Sequence, residues 1–163
     1  MMMSKKHCYL KIGLDYHGVI NSDMTYFKCF CQQAIAHGHE IHILSGGPEE
    51  KILNRLSKEG IEFTRVFAIF DYYNEKGLAC RLPNGEFYVN DKLWNETKAH
   101  YCQQNKIDIQ IDDSPVYGKY FTTPYCLYDH KQRNCQLIWQ EKTIDIEMSN
   151  PQLAVKKIED IFC

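Results

Sequence analysis

Apolar and polar positions along the chain fall into short buried-type runs separated by helical patterns. The first run, Cys8 to Leu14, has Tyr9, Leu10, Ile12 and Leu14 as the content of a strand covered on both faces, and it stops on Asp15. Met24 to His37 follows with Phe27, Phe30, Cys31, Ala34 and Ile35 at helical spacing, behind cap candidates Asn21, Ser22 and Asp23, and Gly38 is a suitable stop. Glu40 to Leu44 reads as a second strand, and Pro48 opens a helix to about Glu59 with Ile52, Leu53 and Leu56 on one face. Ile61 to Phe70 reads as a third strand.

Asn84-Gly85, between two short strand-forming runs, signals a β-hairpin inserted at about residues 77–91. A helix is expected over Trp94 to Asn105, starting near Asn95 or Thr97, then strands at Ile107–Ile111 and Tyr125–Tyr128. Leu137 to Met148 holds one or two extended pieces with no assigned place. Pro151 opens a terminal helix with Leu153, Ala154, Ile158 and Ile161 inward. Strands alternating with helices predict a three-layer α/β/α, Rossmann-like domain with a mainly parallel sheet, a single unit over residues 1–163.

Composition narrows the class without naming a function. A net charge of −2 offers no general attraction to nucleic acid or to anionic membrane. No apolar run approaches the roughly 20 residues of a spanning helix, and the amino terminus has no apolar signal core, so a cytoplasmic protein is expected. Eight cysteines are scattered through the predicted elements without a C-x-x-C pair, and they are read as packing residues with free thiols rather than a disulfide framework.

Candidate chemistry sits where the predicted strands end. Asp15-Tyr16-His17, Ser45-Gly46-Gly47 and Asp112-Asp113 each follow a strand, and the carboxyl edge of a parallel sheet is where ligands bind. Asp15, Asp112 and Asp113 together concentrate negative charge, which a hard, oxygen-seeking cation such as Mg²⁺ resolves. Ser45 with the Gly46 and Gly47 amides is suited to cradle an anion at a helix N-terminus. The outline is that of metal-assisted phosphoryl transfer. His37, His39 and His42 share no evident face and are discounted as a metal site. Tyr16, Tyr72, Tyr73, Trp94, Tyr117, Tyr120 and Phe121 are candidates either for stacking on a base or for packing.

GLDYHGVI, HILSGG, NETKAHYC and IQIDDSP, in that order, resemble the motifs of the haloacid dehalogenase (HAD) superfamily of aspartyl-phosphate hydrolases, from Lys11 to about Phe121. KAHYCQQNKIDIQIDDSP resembles nucleotidase-like members. The resemblance implies that Asp15 is nucleophile and metal ligand, that His17 lends its backbone carbonyl to the metal, and that Ser45 binds the phosphoryl group. It implies further that Lys98 holds the charges together and that Asp112 and Asp113 hold Mg²⁺; Lys92 is the rival lysine. The chain departs from the family at His17, where phosphatases of this kind carry a second Asp; an imidazole there is also suited to proton transfer near neutral pH. About thirty residues between Asp15 and Ser45 leave no room for a large cap, so the hairpin is the only visible insertion and the site is expected to be open. The expected function is therefore Mg²⁺-dependent hydrolysis of a small phosphorylated substrate. The alternative is a weakly catalytic or non-catalytic relative binding a phosphorylated ligand or a protein partner.

Overall fold

The structure, a computed structural model, describes residues 8–163; the amino-terminal reading of residues 1–7 lies outside them. Among the described residues nine strands and five α-helices follow in the order β1 (Lys11–Asp15), α1 (Met24–Ala36), β2 (Glu40–Ser45), α2 (Glu49–Glu59), β3 (Arg65–Ala68) and α3 (Ile69–Glu75). They continue with β4 (Cys80–Arg81), β5 (Phe87–Tyr88), α4 (Asp91–Gln104), β6 (Ile109–Asp112), β7 (Tyr125–Asp129), β8 (Asn134–Trp139), β9 (Lys142–Glu147) and α5 (Pro151–Phe162). Seven strands form one sheet in the order β3-β2-β1-β6-β7-β8-β9. From β3 to β7 every neighbouring pair is parallel, and β8 and β9 add an antiparallel extension. The fold is α/β with helices on both faces of a mostly parallel sheet, as expected.

Alternation along the central strands builds both layers. Ile12, Leu14, Ile41, Ile43, Ile109 and Ile111 join Phe27, Phe30, Ile52, Leu56 and Ile158 in the core under α1, α2 and α5. On the other face Leu44 packs with Tyr101, Cys102 and Ile107 beneath α4. Burial of both faces is what makes these strands read as continuous apolar runs. Cap chemistry sets the helix starts: Asp23 accepts the Tyr26 N–H at 3.0 Å, and Asn150 accepts the Leu153 N–H at 3.0 Å.

Several expectations need correction. The third strand is only Arg65–Ala68, and the last two residues of the expected strand, Ile69 and Phe70, open α3. A run such as VFAIF has no period that separates a buried strand from a buried helix. Here Ile69 and Tyr73, one helical turn apart, pack together with Val89. Helix α4 starts at Asp91, three residues before the expected Trp94, because the Asn90 side chain accepts the Lys92 and Leu93 N–H groups at 3.1 and 3.3 Å. The hairpin is present as β4 paired with β5, a separate two-stranded sheet. Leu137 to Met148 belongs to β8 and β9, at the edge of the main sheet.

The cysteines also differ from expectation. Cys29, Cys31, Cys80 and Cys102 are free, but Cys8 with Cys163 and Cys126 with Cys135 form disulfide pairs, each with Cα atoms 5.7 Å apart. One pair joins residues 155 positions apart, a closeness that no local spacing announces. The other lies across neighbouring antiparallel strands. No helix among the described residues is long and apolar enough to cross a membrane.

Candidate functional site

Strand order brings the three polar strand ends together. β1 lies between β2 and β6, with Asp15 in register with Leu44 and Leu14 with Ile111. Asp15, Ser45 and Asp112 therefore end adjacent parallel strands at one edge. All three are buried, Asp15 4% exposed and the other two fully enclosed. Lys98, on α4 and only 4% exposed, reaches into this edge from the neighbouring layer.

The centre of the cluster is one ammonium between two carboxylates. Lys98 Nζ donates to Asp15 Oδ1 at 2.9 Å and to Asp112 Oδ2 at 2.8 Å. The other oxygen of Asp112 accepts the Ser114 N–H at 3.1 Å. Lys92 sits exposed in the first turn of α4, so of the two rival lysines it is Lys98 that meets the carboxylates. Asp113 is exposed, and it brings a carboxylate oxygen within 4.8 Å of one from each of Asp15 and Asp112. Gly18 backs onto this third carboxylate: it has φ +86°, and a Cβ there would lie 1.9 Å from Asp113 Oδ2. The Gly18 N–H donates to Asn21 Oδ1 at 2.7 Å, which fixes the turn.

Electrostatics follow from this packing. Burial pushes the Asp15 carboxyl well above the usual carboxylate range; Asp112 adds to the shift and Lys98 opposes it. Lys98 is pushed the other way from a buried lysine: burial favours the neutral amine, but Asp15 and Asp112 outweigh it and hold the ammonium charged. Three carboxylates facing one cation leave a surplus of negative charge. Every side-chain donor is an oxygen, and the cluster is partly open at Asp113. That donor set fits a hard divalent cation such as Mg²⁺, which takes carboxylate oxygens and keeps several waters.

The second strand end differs from the anion cradle expected of it. Ser45 Oγ accepts the Gly47 N–H at 3.2 Å. The Glu49 N–H at the start of α2 donates to Asp71 Oδ2 at 2.8 Å, so a carboxylate of α3 already occupies that helix end. The expected helix-terminus contribution is thereby corrected, while Ser45 retains its hydroxyl proton for another acceptor. Gly46 has no room for a side chain, since a Cβ would lie 2.8 Å from the Trp94 ring.

His17 is exposed at the mouth, with its ring edge-on to Tyr16 at 4.9 Å between centroids. Burial and the Lys98 charge hold its imidazole below the usual histidine value, against the pull of Asp113. Among the aromatic candidates, Tyr16 and Tyr73 are core residues, and Tyr72 packs on Phe67. Trp94 and Tyr117 do border the site: the Trp94 indole N–H donates to the Tyr117 hydroxyl at 3.1 Å.

Three contributors carry no signal in the sequence pattern. Gln110 fills the space beside Gly13, where a Cβ would lie 2.0 Å from its Oε1, and its amide nitrogen stands 3.5 Å from Asp112 Oδ2. Asp71 closes the α2 terminus. Tyr125 donates its hydroxyl to the Ser114 carbonyl and so steadies the turn after Asp112.

A second group of ligand-type residues lies elsewhere. His37 Nδ1 and His39 Nε2 both meet Glu159 Oε1, at 2.6 and 2.9 Å. The histidines discounted from sequence thus do share a partner, supplied by α5, while His42 stands apart against Tyr101. No protein-family model matches the chain, and no curated protein matches it.

Proposed function

We propose that the protein is a divalent-metal-dependent phosphohydrolase of HAD type, cleaving small phosphomonoesters through an aspartyl-phosphate on Asp15. The observation that carries this reading is the buried Lys98 bridging Asp15 and Asp112, at the edge where Ser45 also ends its strand. A lone buried Asp–Lys pair needs no second and third carboxylate; a site handling a cation and a phosphoryl group does.

Asp15, Asp113, Asp112 and the backbone carbonyl of His17 are the groups that would hold Mg²⁺, which supplies charge neutralisation. The chain's own residues account for the rest. Lys98 fixes Asp15 Oδ1, and the Asp15 carboxylate attacks phosphorus. The bond from phosphorus to the ester oxygen breaks, and the departing oxygen takes a proton from His17. Neutral again as a base, His17 then accepts a proton from the water that attacks the acyl phosphate. Phosphate leaves and the Asp15 carboxylate is restored. Ser45 donates its hydroxyl proton to a phosphoryl oxygen throughout.

His17 also favours a second reading. It stands where the resemblance places an Asp, and it is exposed rather than held by a partner, as suits a relative that binds a phosphorylated ligand without turning it over. Phosphate release from a panel of phosphomonoesters with Mg²⁺ separates the two. The hydrolase reading expects release that vanishes with EDTA, falls at least ~10³-fold in Asp15→Asn and ~10²–10⁴-fold in His17→Ala. Release indifferent to Asp15 sinks it, and silence across the panel favours the binding protein.

A further inference from the structure

Tyr117 opens a short 3-10 turn, Tyr117–Tyr120, in the connection from β6 to β7. Its ring lies beside the central lysine, with Lys98 Nζ 5.0 Å from the ring centroid. Two of the three ammonium protons go to Asp15 and Asp112. The face of an aromatic ring is a favourable neighbour for the cation and a poor one for water. Lys98 accordingly remains 4% exposed, although Asp113, beside its partner Asp112, is open to solvent.

The ring does not stand there unaided. The Trp94 indole N–H donates to the Tyr117 hydroxyl at 3.1 Å. Trp94 lies one helical turn before Lys98 on α4, and its own ring is seated against Gly46, where a Cβ would be 2.8 Å away. One aromatic pair thus ties together the helix that carries Lys98, the loop after Ser45 and the loop after Asp113.

We infer that Tyr117 is a positioning residue that covers the Lys98 ammonium and keeps it aimed at Asp15 and Asp112, and that Trp94 holds Tyr117 in place. The effect on Lys98 is independent of the reaction; the effect on turnover rests on the phosphohydrolase reading.

Amine acetylation of the full chain by a water-soluble reagent, read at each lysine by peptide mass spectrometry, tests it beside phosphate-release kinetics. Lys98 is expected to label slowly in the wild type and in Tyr117→Phe, which keeps the ring. In Tyr117→Ala and Tyr117→Leu it labels about tenfold faster, while exposed Lys92 on the same helix labels equally in all as the reagent control, and unchanged far-UV circular dichroism shows that the variants are folded. Trp94→Phe, lacking the indole donor, falls between. The same two ring-deleting variants lower kcat about tenfold with KM within about threefold, and Tyr117→Phe restores most of kcat. Unchanged Lys98 labelling in Tyr117→Ala and Tyr117→Leu overturns the proposal, as does Tyr117→Phe labelling as fast as Tyr117→Ala. Faster Lys98 labelling in a protein that releases no phosphate from any ester upholds the cover and removes the hydrolase reading instead.

Discussion

Two clusters of ionisable, ligand-type residues occur among the described residues, and they are built on opposite accounts of charge. At the sheet edge, Asp15, Asp112 and Asp113 face a single ammonium, so negative charge is left over in a buried place. Between α1, β2 and α5, both ring nitrogens of His37 and of His39 have a matching neighbour. His39 Nδ1 accepts the Leu10 N–H at 3.1 Å, which puts the ring proton on Nε2, where it is donated to Glu159. A metal at Nε2 would move that proton to Nδ1, against the Leu10 N–H. His37 in turn lies between Glu159 and the Gln33 amide. Nearness of three ligand-type side chains is common to both clusters; unspent charge belongs to the first alone. The second is a clasp that joins α5 to the start of the sheet.

Removing the bridging cation should separate the clusters most sharply. Lys98→Met leaves Asp15 and Asp112 buried without their shared partner, and we expect a loss of about 3–5 kcal/mol in denaturant unfolding without metal. Mg²⁺ should recover part of it. Glu159→Gln, by contrast, should cost less than about 1 kcal/mol, because its carboxylate is partly exposed and pairs in water-rich surroundings.

The pH dependences should run in opposite directions. Asp15 has its carboxyl raised on folding, so its term is fully present below the unfolded value and is lost as pH rises through the folded one. In EDTA, Asp15→Asn should therefore flatten a decline of stability with rising pH. For Glu159, burial pushes the carboxyl up, but the hydrogen bonds from His37 and His39 outweigh it and hold it low. Its stabilisation is present above the unfolded value and disappears as pH falls through the folded one, so Glu159→Gln should converge with the wild type in acid. Chemical denaturation across pH checks both slopes; equal signs would remove the distinction between the clusters.

A smaller effect on folding is expected from Gly18→Ala. The positive φ is strained for alanine by about 1 kcal/mol, and the new methyl must displace the Asp113 carboxylate. Mg²⁺ affinity, measured by titration calorimetry, should drop by about tenfold or more while the His37–Glu159 clasp is untouched. Unaltered affinity would mean that Asp113 is not a ligand.

Legibility in the sequence followed the range of the signal. α1, β2 and α2 stand within a residue or two of their expected ends, because Asp23, Pro48 and Gly60 punctuate them locally. The convergence of Asp15, Ser45 and Asp112 was also readable, since each closes an apolar run and parallel strands share an edge. α3 was not, because the run VFAIF that leads into it has no period to separate strand from helix, and packing of Ile69 and Tyr73 against Val89 and Trp94 chooses helix. The cover of Tyr117 on Lys98 and the meeting of Glu159 with His39, 120 residues away, arise from tertiary approach with no local trace. Asp71 turned a helix terminus that looked vacant into one already served.

The central place of β1 has a consequence for the chain as it is made. Asp15 is made before the lysine that offsets it, which lies 83 residues later, and the strand that covers the second edge of β1 follows that lysine. At roughly 5–20 residues per second of synthesis, a nascent chain spends several seconds with β1 and β2 made and one flank of β1 bare. For that interval Asp15 has neither Lys98 nor β6 beside it, so the three strand ends of the site meet only once α4 and β6 have been made. The site is thus assembled last, although its first carboxylate is made long before its lysine.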